Sequence, residues 1–215
     1  KLAHEIKNPL TPIQLSIDRL QDKFHKQIGE GQDEFRNYLS TINRQIKDIE
    51  NLVNEFSSFA RMPSPVFKKI KINRVIQRAV DFYKMFSKNE IYFTIKNKTD
   101  TFKADEEQLY RVFINLIKNS EDSIAEKKGK NKLFKGKINI EINDNNDYIN
   151  ISLADNGMGI KDTSKIMTPY FTTKKDGTGL GLPIVSKIIN EHKGDITISN
   201  NNPGVKVLIL FPKNN

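Results

Sequence analysis

The opening quarter of the chain carries two runs of apolar side chains spaced alternately four and three apart. Ile6, Leu10, Ile13, Ile17, Leu20 and Phe24 make the first run; Phe35, Leu39, Ile42, Ile46, Ile49, Val53 and Phe56 make the second. Such a repeat is the seam of helices that lie lengthwise on other helices, and a strand of period two cannot follow it. Gly29-Glu30-Gly31 separates the runs, so the spacing predicts an antiparallel helical hairpin. One hairpin buries only a narrow seam. Two hairpins would close a four-helix bundle, which makes a homodimer the expected assembly. Pro9 falls inside the first helix, where its ring kinks the helix or removes one hydrogen bond. Arg61-Met62-Pro63-Ser64-Pro65 ends the second, because closely spaced prolines disfavour helix and stiffen the backbone on their C-terminal side. The expected domains are a hairpin over 1–65 and a second domain over 66–215.

Beyond Pro65 the period changes. Residues 69–72 and 91–95 read as strands, with a helix from a cap at Asn73 to about Phe86 between them. Asp105 is placed to cap a long helix, with Gln108 completing a capping box and Leu109, Val112, Phe113, Leu116, Ile117 and Ile124 on its buried side. Residues 137–143 and 148–154 alternate as two strands about a turn at Asn145-Asn146. A helix over 182–192 stops at Gly194, and 195–199 and 205–211 close the chain as strands. The expected fold is α+β: the helical hairpin, then an α/β sandwich with one sheet and its helices on one face.

Composition narrows the function classes. There is no cysteine, hence no disulfide framework and no thiolate metal site. No apolar run is long enough to span a bilayer and no signal peptide is visible. Lys1 sits inside a pattern that should begin earlier, so the chain reads as a piece of a longer one, and any membrane attachment would come through the missing N-terminal part. The formal charge is +9, but lysine is dispersed, with no basic-aromatic interleaving and no recognition helix. Nucleic acid is not an expected partner.

Five stretches carry chemistry. His4-Glu5-Ile6-Lys7-Asn8-Pro9-Leu10 offers an imidazole that is nucleophilic near neutral pH, an adjacent acid for the ring proton, and an amide one helical turn on, at Asn8. Asn115 and Asn119 share a helix face, and an amide oxygen suits Mg²⁺ bound to phosphates. Asp155-Asn156-Gly157-Met158-Gly159-Ile160 follows a strand, so its carboxylate can accept from an exocyclic amine such as that of adenine. Pro169-Tyr170-Phe171-Thr172-Thr173-Lys174 is an aromatic loop with basic residues after it. Gly177-Thr178-Gly179-Leu180-Gly181-Leu182 leads into a helix whose start favours phosphate. Each stretch alone has an ordinary explanation: a solvated histidine, surface asparagines, a tight turn, an anchored loop. The glycine-rich stretch lacks the leading strand of a dinucleotide fingerprint and the Gly-Lys-Ser/Thr ending of a P-loop. Together, Pro169 to Asp176 reads as a lid hinged at Gly177 over a nucleotide.

In order and spacing, these five stretches resemble the H, N, G1, F and G2 boxes of two-component sensor histidine kinases, over essentially the whole chain. Residues 4–16 and 55–63 are similar to the NtrY type, the nitrogen-regulation sensor kinases. The resemblance implies a dimerisation and histidine-phosphotransfer hairpin and, after it, a Bergerat-type (GHKL) ATP-binding sandwich. It implies that His4 is the phosphoacceptor, Glu5 its acid-base partner and Asn8 the residue linked to dephosphorylating the partner regulator. It makes Asn119 the Mg²⁺ ligand, with Asn115 near the phosphates of ATP, and makes Asp155 the contact to the adenine amine. Gly157, Gly159, Gly177, Gly179 and Gly181 would shape the pocket and lid, with Thr178 and Leu180 in the glycine loop. Many family members carry a basic residue where this chain has Asp122, which hands the triphosphate charge to Lys174 or Lys175 of the lid. The implied partners are a second copy of the chain and the receiver domain of an NtrX-like response regulator. The implied location is the cytoplasmic portion of an inner-membrane bacterial sensor kinase.

A GHKL-type ATPase resembling gyrase, Hsp90 or MutL is the competing reading, and a nucleotide-binding dimer module without kinase activity is another. Those ATPases have a catalytic glutamate where this chain has Asn115, and an amide cannot act as a general base. The seam lies wholly before Pro63 and the nucleotide motifs wholly after it. The fragment 1–65 should therefore sediment as a dimer, and 66–215 as a monomer that binds ATP. A dimeric 66–215 fragment would contradict this division.

Overall fold

The computed structural model describes every residue except Lys1, His25, Lys26, Glu30, Arg61, Lys132, Lys175, Asp176, Asn214 and Asn215; for residues 2–5, 7, 58 and 130 it describes the backbone alone. The chain forms two compact units, Lys1–Pro63 with Thr172–Leu180, and Ser64–Phe171 with Gly181–Asn215.

The first unit is built on α1 (Leu2–Phe24) and α2 (Gln32–Ala60). Helix α1 runs through Pro9 and Pro12, so Pro9 removes a bond without ending the helix. The heptad seam divides in two. Leu10, Ile17, Leu39 and Ile46 bury one another, with Phe35 against them. The alternate seam residues Ile6, Ile13, Leu20, Ile42 and Ile49 stay 37–46% exposed. Gln14 Nε2 donates to Asn43 Oδ1 across the helices at 3.0 Å.

The second unit has a small and a large sheet. Strands β1 (Lys68–Lys71) and β3 (Thr101–Ala104) pair antiparallel. Strands β2 (Glu90–Ile95), β4 (Lys137–Asp144), β5 (Tyr148–Asp155), β6 (Asp195–Asn200) and β7 (Val205–Pro212) form the large sheet in the order β2-β4-β5-β7-β6, antiparallel except for the β2–β4 pair. Helices α3 (Ile72–Lys84), α4 (Glu106–Lys130) and α5 (Gly181–Glu191) supply the second layer. The period of two decides the layering. Ile138, Ile140, Ile142, Ile149, Ile151, Leu153, Val207, Ile209 and Phe211 are buried with Leu109, Phe113, Leu116 and Ile117 of α4. Lys137, Asn139, Asn150, Ser152 and Lys206 alternate onto the other face, where they are partly or fully exposed. The expected α/β sandwich forms, with a two-stranded sheet in addition to the one sheet expected. Asn145 shapes the β4–β5 turn, its Oδ1 accepting from the Asp147 and Tyr148 N–H groups. Among the described residues no helix is long and apolar enough to cross a membrane.

Local expectations fail at one helix start and one strand, and at α4 the expected cap forms but its box closes differently. Ile72 opens α3 instead of closing a strand, so Asn73 lies inside the helix and is not its cap. The donors of this turn are met from afar: the Ile72 N–H reaches the Asp100 carbonyl and the Asn73 N–H its carboxylate. Strand β3 has no counterpart in the expected elements; its four residues run straight into the α4 cap. Asp105 does cap α4, accepting from the Gln108 N–H at 3.0 Å. The Asp105 N–H, however, donates to His192 Nε2 at 2.9 Å, so a distant imidazole closes that end of the box.

His192 is buried. Its Nδ1 faces the Ile188 carbonyl at 2.8 Å, which makes that nitrogen the protonated one and leaves Nε2 as acceptor. Phe67 and Phe211 flank the ring. Burial holds its pKa below the usual histidine value, against smaller opposing effects from the Ile188 carbonyl, Asp105 and Glu191. The unfolded chain therefore takes up a proton here that the folded chain refuses, so stability is full above about pH 6.5 and falls as pH drops below it. His192→Leu should cost about 1–3 kcal/mol at neutral pH, because a buried N–H loses its acceptor. It should also flatten the decline in stability below pH 6.5, measured by urea unfolding. An equal pH slope in both proteins would contradict this role.

Candidate functional site

Helix α4 and the turn after β5 make the centre of the site. Asp155 ends β5 with 6% of its surface exposed. A carboxylate so placed must be met by donors. Asp155 Oδ1 accepts from the Gly157 N–H at 2.8 Å and the Val205 N–H at 3.4 Å, and Oδ2 accepts from the Ser120 hydroxyl at 3.0 Å. Burial pushes its pKa up from the ordinary carboxylate value; these hydrogen bonds and the Lys127 charge pull the other way.

The turn itself is held on every side. Lys127 Nζ donates to the Asn156 and Gly157 carbonyls at 2.7 and 2.9 Å, and sits over the Phe134 ring. The Met158 N–H donates to Ser123 Oγ at 2.9 Å. Asn200 makes a reciprocal pair with Ile160, accepting from its N–H and donating to its carbonyl, both at 2.8 Å. Asn156 ties the turn to the start of β4 by accepting from the Lys137 N–H at 2.8 Å. Gly157 is a close approach: a Cβ there would meet Ser123 Oγ at 2.3 Å and the Ser123 backbone carbon at 2.9 Å. Gly159 turns with φ +77 beside Asn200.

Asn115 and Asn119 are half-buried on the same helix. Asn115 Nδ2 donates to the Arg111 carbonyl at 2.8 Å. Its Oδ1 lies 3.4 Å from where a Cβ of Gly181 would stand, so the paired-asparagine stretch meets the start of α5. Asn119 is one turn further along α4. A neutral amide oxygen there fits Mg²⁺ that draws its remaining ligands from phosphates and water.

In the aromatic loop Tyr170 adopts φ +67, a left-handed conformation that is costly for a bulky side chain. Beyond it Lys174 is half-buried and its N–H donates to Thr172 Oγ1 at 3.1 Å. The Gly177 N–H donates to the Lys174 carbonyl at 3.4 Å. The Thr178 hydroxyl donates to the Glu55 carboxylate, both in the first unit. Gly179 has φ +69, and Leu180 is fully buried ahead of α5. Lys175 lies outside the described residues. In α1, Asn8 is exposed; the side chains of His4 and Glu5 are outside the described part of the structure.

Sequence reasoning missed Ser120, Ser123, Lys127 and Asn200. The first three had a legible signal, because Leu116, Ser120, Ser123 and Lys127 recur at four, three and four along one face of α4. Asn200 had none, since its loop partner is forty residues away.

Comparison with known proteins adds to this geometry. Residues 1–65 match the His Kinase A (phospho-acceptor) domain. Residues 104–215 match the histidine kinase-, DNA gyrase B-, and HSP90-like ATPase. An NtrY-like sensor histidine kinase of Rickettsia bellii is 41% identical over 97% of this chain and 33% of its own length. The nitrogen regulation protein NtrY of Azorhizobium caulinodans is 36% identical over 93% of this chain and 26% of its own. The chain thus spans a third or less of these relatives. The solved histidine kinase ThkA, in complex with the response regulator protein TrrA, superposes with TM-score 0.68 at 27% identity, over 99% of this chain and 60% of that one.

Lys127→Met keeps the stem packing but removes both bonds to the turn. It should lower unfolding free energy by about 1–2 kcal/mol, since a charged donor to two carbonyls is lost, and should speed amide exchange at residues 156–158. Unchanged stability and exchange would mean that Lys127 does not hold the turn.

Proposed function

Because the chain belongs to the histidine kinase-, DNA gyrase B- and HSP90-like ATPase family and carries a His Kinase A phospho-acceptor domain ahead of it, we propose that it is the transmitter region of a sensor histidine kinase. It phosphorylates itself from ATP at His4 and passes the phosphoryl group to an aspartate of a response regulator. The observation that carries this reading is the buried Asp155 carboxylate, held beside a glycine turn and the paired-asparagine helix in a chain that also matches the phospho-acceptor domain.

We assign phosphoryl acceptance to 1–65 and nucleotide binding to 66–215, a reading supported by the phospho-acceptor match over 1–65 and the ATPase match over 104–215. Asp155 accepts from the adenine amine. Asn115 would lie against the phosphates, and Asn119 would hold Mg²⁺, which when bound would neutralise phosphate charge. Gly157 and Gly159 shape the adenine side; Gly177, Thr178, Gly179, Leu180 and Gly181, with Lys174, shape the phosphate side. The His4 imidazole attacks the γ-phosphorus in line; the N–P bond forms, the bond to the β–γ bridging oxygen breaks, ADP leaves, and Glu5 takes the ring proton. Asn8 aims a water at the regulator's aspartyl phosphate in the reverse reaction. The exposed seam residues Ile6, Ile13, Leu20, Ile42 and Ile49 support a homodimer, since a second hairpin would bury them. An NtrX-like receiver domain is the partner we assign, and the input signal enters through the portion that the longer relatives possess.

Incubation of the full chain with γ-labelled ATP should place acid-labile, base-stable label on the protein. His4→Gln should abolish the label while nucleotide affinity stays within about twofold, since the acceptor lies outside the nucleotide domain. Asn8→Ala should keep autophosphorylation and lose regulator dephosphorylation; Glu5→Ala should lose autophosphorylation. Free phosphate without labelled protein would favour the ATPase reading, and label persisting on His4→Gln would overturn the acceptor assignment.

A further inference from the structure

A carboxylate offers about four lone-pair positions, and three of those on Asp155 are used within the chain. Oδ1 is occupied by two backbone N–H groups, from Gly157 and Val205. Oδ2 receives one bond among the described residues, from Ser120, which leaves one of its lone-pair positions without a donor there. Gly204 bars approach from its own side: with φ +95, a Cβ there would stand 2.0 Å from the Asp155 carbonyl oxygen. The Asp χ2 torsion is intrinsically broad, so without a donor on Oδ2 the carboxylate would be fixed at one oxygen only. Ser120 is itself 3% exposed, on the buried side of α4. A hydroxyl there is of no use to the apolar core, and its partner among the described residues is this carboxylate.

We propose that Ser120 is a specificity-positioning residue: it fixes Asp155 Oδ2 so that its open position accepts the 6-amino group of adenine and rejects a 6-oxo purine. The proposal rests on the reading of Asp155 as the adenine acceptor. An amine completes the set of donors around Oδ2. The carbonyl oxygen of a hypoxanthine or guanine base would instead face a fixed, desolvated carboxylate with no proton between them, and a site built to receive a donor rejects a base without one. Ser120 also stabilises the ionised carboxylate, as do the Gly157 and Val205 N–H groups and the Lys127 charge from α4; β4 pairs Ile138 with it, and β7 presents the Val205 backbone. Removing the hydroxyl leaves burial less opposed, so protonation sets in at higher pH.

The test is calorimetric titration of the full chain with ADP and with inosine diphosphate, between pH 5 and 8, for the wild type, Ser120→Ala and Asp155→Asn. Alanine suits a helix interior, and thermal unfolding verifies that the variant is folded. Ser120→Ala should bind ADP about tenfold more weakly, bind inosine diphosphate as before, and lose its ADP affinity at higher pH than the wild type on acidification. Equal weakening toward both nucleotides would reduce Ser120 to a structural role and overturn the proposal. Unchanged ADP binding in Ser120→Ala, beside a loss in Asp155→Asn, would overturn it while leaving Asp155 as acceptor. Full ADP affinity in Asp155→Asn would overturn the acceptor reading and this proposal with it.

Discussion

A buried carboxylate is the group around which the second unit is arranged. Taking an ion out of water costs on the order of several kcal/mol even after relaxation. Asp155 is tolerated because donors converge on it from the turn at Gly157, from β7 at Val205 and from α4 at Ser120. That convergence dictates much of what surrounds it. Gly157 must lack a side chain to let the turn close on Ser123, and Gly204 must lack one to let its turn lie against the Asp155 backbone. Lys127 and Asn200 then fix the carbonyls and amides that the turn would otherwise leave loose. Such a carboxylate, oriented before any ligand arrives, spends little on reorganisation when an amine donates to it.

In the hairpin the governing term is apolar area. The four-three alternation places successive seam residues on two sides of each helix pair. Leu10, Ile17, Leu39 and Ile46 satisfy one side within the chain, while Ile6, Ile13, Ile42 and Ile49 hold the other open to solvent. A seam that is only half used is the physical argument for a second copy. It rests on the same periodicity that identified the helices.

The long periodic elements were legible from residues alone. Both heptad helices, α4, the β4–β5 hairpin and the last two strands stand where hydrophobic period and turn chemistry put them. What was not legible depends on long-range partners. The start of α3 is met by Asp100, and the N–H of the α4 cap residue Asp105 by His192, each remote from the helix it serves. Strand β3 exists because β1 lies beside it, not because four residues announce a strand. At the site, the motif residues Asn115, Asp155, Gly157 and Gly181 were found by type and spacing, because they resemble boxes of a known order. The residues that hold them in place were not, although Ser120, Ser123 and Lys127 share a helix face that points to the turn.

Asp155 is buried and held by three donors, and the adenine amine of the proposed function would add a fourth at Oδ2. The most direct measurement is an NMR titration of the Asp155 side-chain carboxyl carbon, in the free chain and in its ADP complex. The free chain should show a pKa above the ordinary carboxylate value, and the ADP complex a lower one, because a donor on Oδ2 favours the ionised form. An ordinary value in the free chain, or a titration indifferent to ADP, would contradict this reading of Asp155.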